Sequence, residues 1–175
     1  MFWRRCTIPV TWRYNHPINT RERNPMQQSA PIEIAITVSD VVAMGKFYEA
    51  SFGCTEERRT EIPPDLSAPL GIAQQGYLCV WLVTPNNERI KLMAPNLTPK
   101  PQAVEDFFSA RTGLAFLTFY CRDLGPTLAK AEANGAVLRS APELAAEDQP
   151  MKICFMQDPE GNIVELVETP TGERV

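Results

Sequence analysis

A single histidine, His16, stands among 175 residues. A Ser-His-Asp triad, a Cys-His pair, a two-histidine iron site and a histidine-rich zinc site each need imidazole beside their other members. Those chemistries therefore lack their working group in the body of the chain. The five cysteines (Cys6, Cys54, Cys79, Cys121, Cys154) cannot all pair and show no CxxC spacing. The last four fall within or beside strand-like runs and read as reduced, buried thiols. Carboxylates and ammonium groups remain. Period-two alternation places Glu33, Ala35 and Thr37 on one strand face, and Arg89, Lys91 and Met93 on another. It does the same for Leu114, Phe116, Thr118 and Tyr120, and for Ile163, Glu165 and Val167. If those faces lined one cavity, its carboxylates, ammonium and phenol would suit general acid–base work at neutral pH, between apolar walls.

The elements that would carry these faces follow from the pattern. Ile32–Val38 alternates as a half-buried strand, Asp40 or Ser39 caps a helix carrying Val41, Met44, Phe47 and Tyr48, and Phe52-Gly53 closes it. Cys54–Glu61, Tyr77–Val83 and Arg89–Met93 read as three further strands around a proline-bearing excursion, Pro63–Gly76. The order then repeats. Leu114–Cys121 is a strand, Asp123 caps a helix ending at Asn134-Gly135, and Ala136–Ser140, Met151–Met156 and Asn162–Val167 are strands. Thr84–Leu92 aligns without a gap on Asp158–Leu166. Two βαβββ modules at residues 31–95 and 112–168 are the economical account. A proline linker at 96–111, with a short helix near Val104–Ala110, joins them, and a tail at 169–175 follows. The predicted fold is α+β, a cup-shaped mixed β-sheet flanked by helices.

Residues 1–30 differ from the rest. They carry five arginines against one acid, Glu22, while the whole chain is acidic, with 17 basic and 21 acidic side chains. Pro9, Pro17 and Pro25 interrupt any amphipathic helix, so a poorly ordered or subunit-embracing extension is preferred to a transit peptide. No run approaches the roughly 18 apolar residues of a membrane span, and the acidic balance disfavours nucleic acid. The expected partners are a small molecule and a second copy of the chain in a cytoplasmic homodimer.

With the modules placed, the sequence resembles the vicinal oxygen chelate superfamily. The resemblance rests on Val38-Ser39-Asp40 leading to Phe47-Tyr48 and Phe52-Gly53, and above all on Asp158-Pro159-Glu160-Gly161-Asn162 followed by Val164-Glu165-Leu166. That group includes glyoxalases, extradiol dioxygenases, an epimerase and drug-binding resistance proteins. The resemblance implies four positions converging in the cup, usually around a divalent metal. Carried over, they are Glu33, Phe116, Lys91 and Glu165. Phe116 has no ligand atom and Lys91 is cationic at neutral pH, so no metal and no other cofactor is expected.

What the resemblance then implies is proton transfer without metal. Glu165 or Glu33 takes a proton from a carbon next to a carbonyl, and Lys91 stabilises the enolate, in an isomerase, epimerase or lyase. Phe116, Thr118, Tyr120, Thr37, Arg89, Met93 and Trp81 would contact the substrate, a small carbonyl or aromatic metabolite. Two other readings stand beside it. One is a binder that sequesters a drug-like ligand unchanged, in which Glu33 and Lys91 simply form an ion pair. The other is a lyase or dioxygenase with an atypical metal site completed by His16. Arg58 and Arg59 read as a solvated strand edge, although an arginine there could clamp a substrate carboxylate or phosphate.

Overall fold

The alternation from Ile32 produces β1 (Glu33–Thr37), which buries Ile36 and turns Glu33, Ala35 and Thr37 the other way. The computed structural model describes residues 30–101, 103, 106–146 and 149–172; His16, the arginine-rich segment and the start of the expected helix at Val104 lie outside them. Asp40 accepts hydrogen bonds from the amides of Val42 and Ala43, at 3.0 and 2.9 Å, and so starts α1 (Val41–Phe52). Gly53 ends that helix at φ 69°, a left-handed conformation that a Cβ disfavours. Then come β2 (Thr55–Ile62), a single helical turn α2 (Pro64–Ser67), β3 (Tyr77–Val83) and β4 (Arg89–Pro95). The sheet order is β1-β4-β3-β2, with β1 parallel to β4 and the other pairs antiparallel.

The second half rebuilds this arrangement. It comprises β5 (Leu117–Cys121), α3 (Leu124–Ala133), β6 (Val137–Leu138), β7 (Glu143–Ala146), β8 (Gln149–Gln157) and β9 (Ile163–Glu168). The order is β5-β9-β8-β6, again with first and last strands parallel, and β7 also pairs with β8. The fold is therefore α+β with tandem βαβββ modules, as expected. Three details differ from the sequence reading. Strand β5 begins at Leu117, so Leu114 and Phe116 precede it and Phe116 stays 37% exposed. The strand expected at Ala136–Ser140 shrinks to two residues, and β7, which nothing in the sequence suggested, supplies an additional pairing on β8.

One core serves both halves. Tyr48, Met44, Leu82 and Leu92 from the first and Met156, Leu166 and Val164 from the second are fully buried, each contributing about 1.5–3 kcal/mol for its apolar surface. Helix α1 packs against α3, and the Phe52 ring stacks on Phe119 of β5 with centroids 4.4 Å apart. This shared core fixes the polar faces of the two sheets relative to each other. Among the described residues no helix is long and apolar enough to cross a membrane.

Candidate functional site

Parallel pairing of β1 with β4 sets Glu33 opposite Arg89 and Ala35 opposite Lys91, so the long side chains of β4 reach back over β1. The Lys91 ammonium lies 2.5 Å from the Glu33 carboxylate, and the Arg89 guanidinium lies 3.9 Å from it. Trp81 is the register partner of Lys91 on β3. The Lys91 ammonium, helped by Trp81 and Arg89, therefore holds the Glu33 carboxyl below its ordinary range. Arg89 in turn makes a two-pronged pair with Glu57, at 2.9 and 2.6 Å. Thr37 and Met93 are register partners further along the same face.

On the second sheet Glu165 is the register partner of Thr118, whose hydroxyl donates to its carboxylate at 2.6 Å. No cation joins this carboxylate among the described residues. Phe116 lies edge-on to Phe155 at 5.3 Å, and Phe108 approaches Phe155 from 5.1 Å, so Phe116 belongs to an aromatic wall beside Glu165. Tyr120, two residues beyond Thr118, is half-buried.

The structure thus brings the expected residues together as two groups, Glu33–Lys91–Arg89–Trp81 and Glu165–Thr118–Phe116. Among the described residues no hydrogen bond or ion pair links one group to the other. A cleft of about 690 Å³ opens beside β1 and β5, floored by Ile34, Phe52 and Phe119 and bordered by Arg89, Thr118 and Tyr120; Glu33, Lys91, Trp81, Glu165 and Phe116 are not among the residues that line it. Its apolar floor and polar rim have the make-up of a small-molecule site.

Three residues that sequence reasoning did not assign to this region hold it in shape. Asp158, buried in the turn before β9, accepts from the Tyr48 hydroxyl at 3.0 Å and from the amides of Glu160 and Asn162 at 3.0 and 2.8 Å. Burial pushes its carboxyl up while these bonds draw it down, and the same burial, with Asp158 beside it, raises the Tyr48 phenol. Glu160 accepts from the amides of Ser39 and Asp40 at 2.6 and 2.8 Å, at the entrance to α1. Tyr48 reads from sequence as core packing, which it is, but its hydroxyl also ties the halves together. The Asp-Pro-Glu-Gly-Asn spelling was the available signal.

Paired βαβββ modules with their first and last strands parallel define the class. The model of the Glyoxalase/Bleomycin resistance protein/Dioxygenase superfamily matches residues 31–166, and the chain belongs to that superfamily. No curated protein matches the chain. Among solved structures, it resembles a glyoxalase family protein of Bacillus cereus at 19% identity and TM-score 0.65, covering 82% of this chain and 97% of that one. It resembles a glyoxalase family protein of Enterococcus faecalis at 18% and TM-score 0.59, covering 82% and 100%. It also resembles glyoxalase I of Zea mays at 19% and TM-score 0.60, where it covers 78% of this chain and 43% of the larger plant protein. At such identities the likeness concerns the fold.

The divalent metal that this superfamily commonly holds does not suit the residues present. Lys91 places an ammonium against Glu33 where a cation would sit, and Phe116 offers a ring where a ligand would be needed. Among the described residues no three His, Cys, Asp or Glu side chains converge.

Proposed function

We propose that the chain handles a small carbonyl-containing or aromatic compound by metal-independent proton transfer between its two polar faces. The observation that carries this reading is the asymmetry of the carboxylates. Glu33 is neutralised by Lys91 at 2.5 Å, whereas Glu165 is held by a neutral hydroxyl at 2.6 Å and keeps an oxygen to accept a proton. Glu165 therefore serves as the base, which narrows the choice between the two glutamates. It takes a proton from the carbon beside the substrate carbonyl. Lys91, steadied by Glu33, faces the developing enolate oxygen, and return of the proton to either carbon face or to a neighbouring carbon gives epimerisation or isomerisation. The Phe116–Phe155 ring pair beside Glu165 supports an apolar or aromatic substrate body. A homodimer remains part of this reading, tested by the mass of the assembly in solution.

The test follows a proton rather than a product. In deuterium oxide, 2-oxo and 2-hydroxy acids and their amides are incubated with the protein, and label at the carbon beside the carbonyl is read by NMR. Catalysed exchange that survives chelator and falls at least about 100-fold in Glu165→Gln, with folding retained, is the expected result. Exchange undiminished in that variant overturns the assignment. The mutual neutralisation of Glu33 and Lys91 favours a second reading, sequestration, which stoichiometric binding with chemically unchanged release would establish.

A further inference from the structure

Strand β2 carries four consecutive charges, Glu56-Glu57-Arg58-Arg59, and the structure gives each a different employment. Arg59 pairs with Glu56 at 2.8 Å on the strand itself. Glu57 pairs with Arg89 at 2.6 Å. Arg58 has no carboxylate partner among the described residues; its guanidinium lies over the Trp81 ring, 3.8 Å from the centroid. Its placement depends on an irregularity in the ladder. Glu56 pairs with Leu82 and Arg58 with Trp81, so Glu57 is an extra residue opposite no one. That bulge resets the alternation of β2. Without it, Arg58 would lie on the face of buried Leu82. With it, Arg58 joins Trp81 and Lys91, in the row Arg58–Trp81–Lys91 that runs across β2, β3 and β4.

We infer that Arg58 is the anion-reading residue of this site and that its substrates carry a carboxylate. The inference rests on the proton-transfer reading for the site's location and specifies the substrate class. Contact with the Trp81 ring holds the guanidinium in place while leaving N–H donors open, which is the presentation that a planar carboxylate accepts in two parallel hydrogen bonds. Lys91 lies 5.6 Å from the same ring but is engaged by Glu33, as Arg89 is by Glu57. Of the three cations on this face, Arg58 is the one without an internal carboxylate among the described residues, and a ligand carboxylate completes it. A small compound with a carboxylate at Arg58, an aromatic or apolar body and a carbonyl near Lys91 fits, such as an aromatic 2-oxo acid.

The experiment compares matched ligands on the full chain. Phenylpyruvate and its primary amide are titrated against wild type, Arg58→Gln and Arg58→Lys by calorimetry, with tryptophan fluorescence as a second readout and Trp81→Phe as its control. Wild type should bind the acid at least tenfold more tightly than the amide. Arg58→Gln should bring the two within about twofold, and Arg58→Lys should recover part of the preference. Equal affinity for acid and amide in wild type, binding of neither, or an unchanged preference in Arg58→Gln overturns the assignment. Deuterium exchange separates the two proposals. Arg58-dependent acid preference without exchange retains this site and removes proton transfer. Exchange that is equal on acid and amide, indifferent to Arg58→Gln and lost in Glu165→Gln, does the reverse.

Discussion

The turns that join the last two strands of each module share a backbone and differ in almost everything else. In the first, the Thr84 amide donates to Glu88 at 2.9 Å and the Asn87 amide to Thr84 at 2.9 Å. In the second, Asp158 donates to Asn162 at 2.9 Å and Gly161 to Asp158 at 3.0 Å. The positions with positive φ also match, 68° at Asn87 and 91° at Gly161. Yet Asp158 is buried beneath α1 and bonded to Tyr48, while the Thr84 hydroxyl meets Glu88 at the surface. A turn shape is thus set by local hydrogen bonds, whereas its contribution to stability is set by what it packs against. The duplicated halves have divided their labour, one turn fastening the molecule and the other leaving its end free to border the cleft.

That contrast can be broken by substitution. Asp158→Ala strips acceptors from a buried phenol and two amides and should lower stability by about 3 kcal/mol, read as a melting temperature lower by roughly 6–12 °C. Equal losses in Asp158→Ala and Thr84→Ala would erase the distinction. Tyr48→Phe should cost about 1.5 kcal/mol alone and close to nothing in the Asp158→Ala background, a coupling that a double-mutant cycle measures. Glu160→Ala, which exposes the α1 entrance, should cost about 1 kcal/mol by denaturant titration. Asn87→Gly relieves a left-handed asparagine and should change stability by no more than about 0.5 kcal/mol.

A pH series sharpens the same contrast. Glu33 has its carboxyl lowered by Lys91, so the stability it contributes is present above the ordinary glutamate value of 4.5 and is lost as pH falls through the lower folded value. Burial raises Asp158, so acid acts on it in the opposite sense and relieves its native charge. The melting-temperature gap between wild type and Glu33→Gln should therefore be larger at neutral pH than at about pH 3. A gap that widens in acid would contradict the pairing.

Local signals were legible because their causes are local. Asp40 and Gly53 bound α1 as their residue types predict, and Ile36, Ile90 and Leu92 bury as the alternation requires. The repeat itself was readable, and with it the pairing of Glu33 and Lys91 through neighbouring strands. What escaped depends on partners distant in the chain. The bulge at Glu57 arises from how β2 meets β3, so the alternation alone could not say which face Arg58 takes. The late start of β5 and the additional β7 are likewise settled by pairing rather than by propensity. Tyr48 sits 110 residues from its hydrogen-bond partner, and no window of sequence spans that separation.

Glu160 meets the Ser39 amide across 121 positions of chain, and this distance has a bearing on biosynthesis. At roughly 5–20 residues per second, a ribosome extends the polypeptide for about 6–24 seconds between making the first helix and making the carboxylate that covers its leading amides. Throughout that interval the early half must rest on Asp40 alone at this end, exposed to solvent and to chaperones, so completion of the late half is what locks the early one.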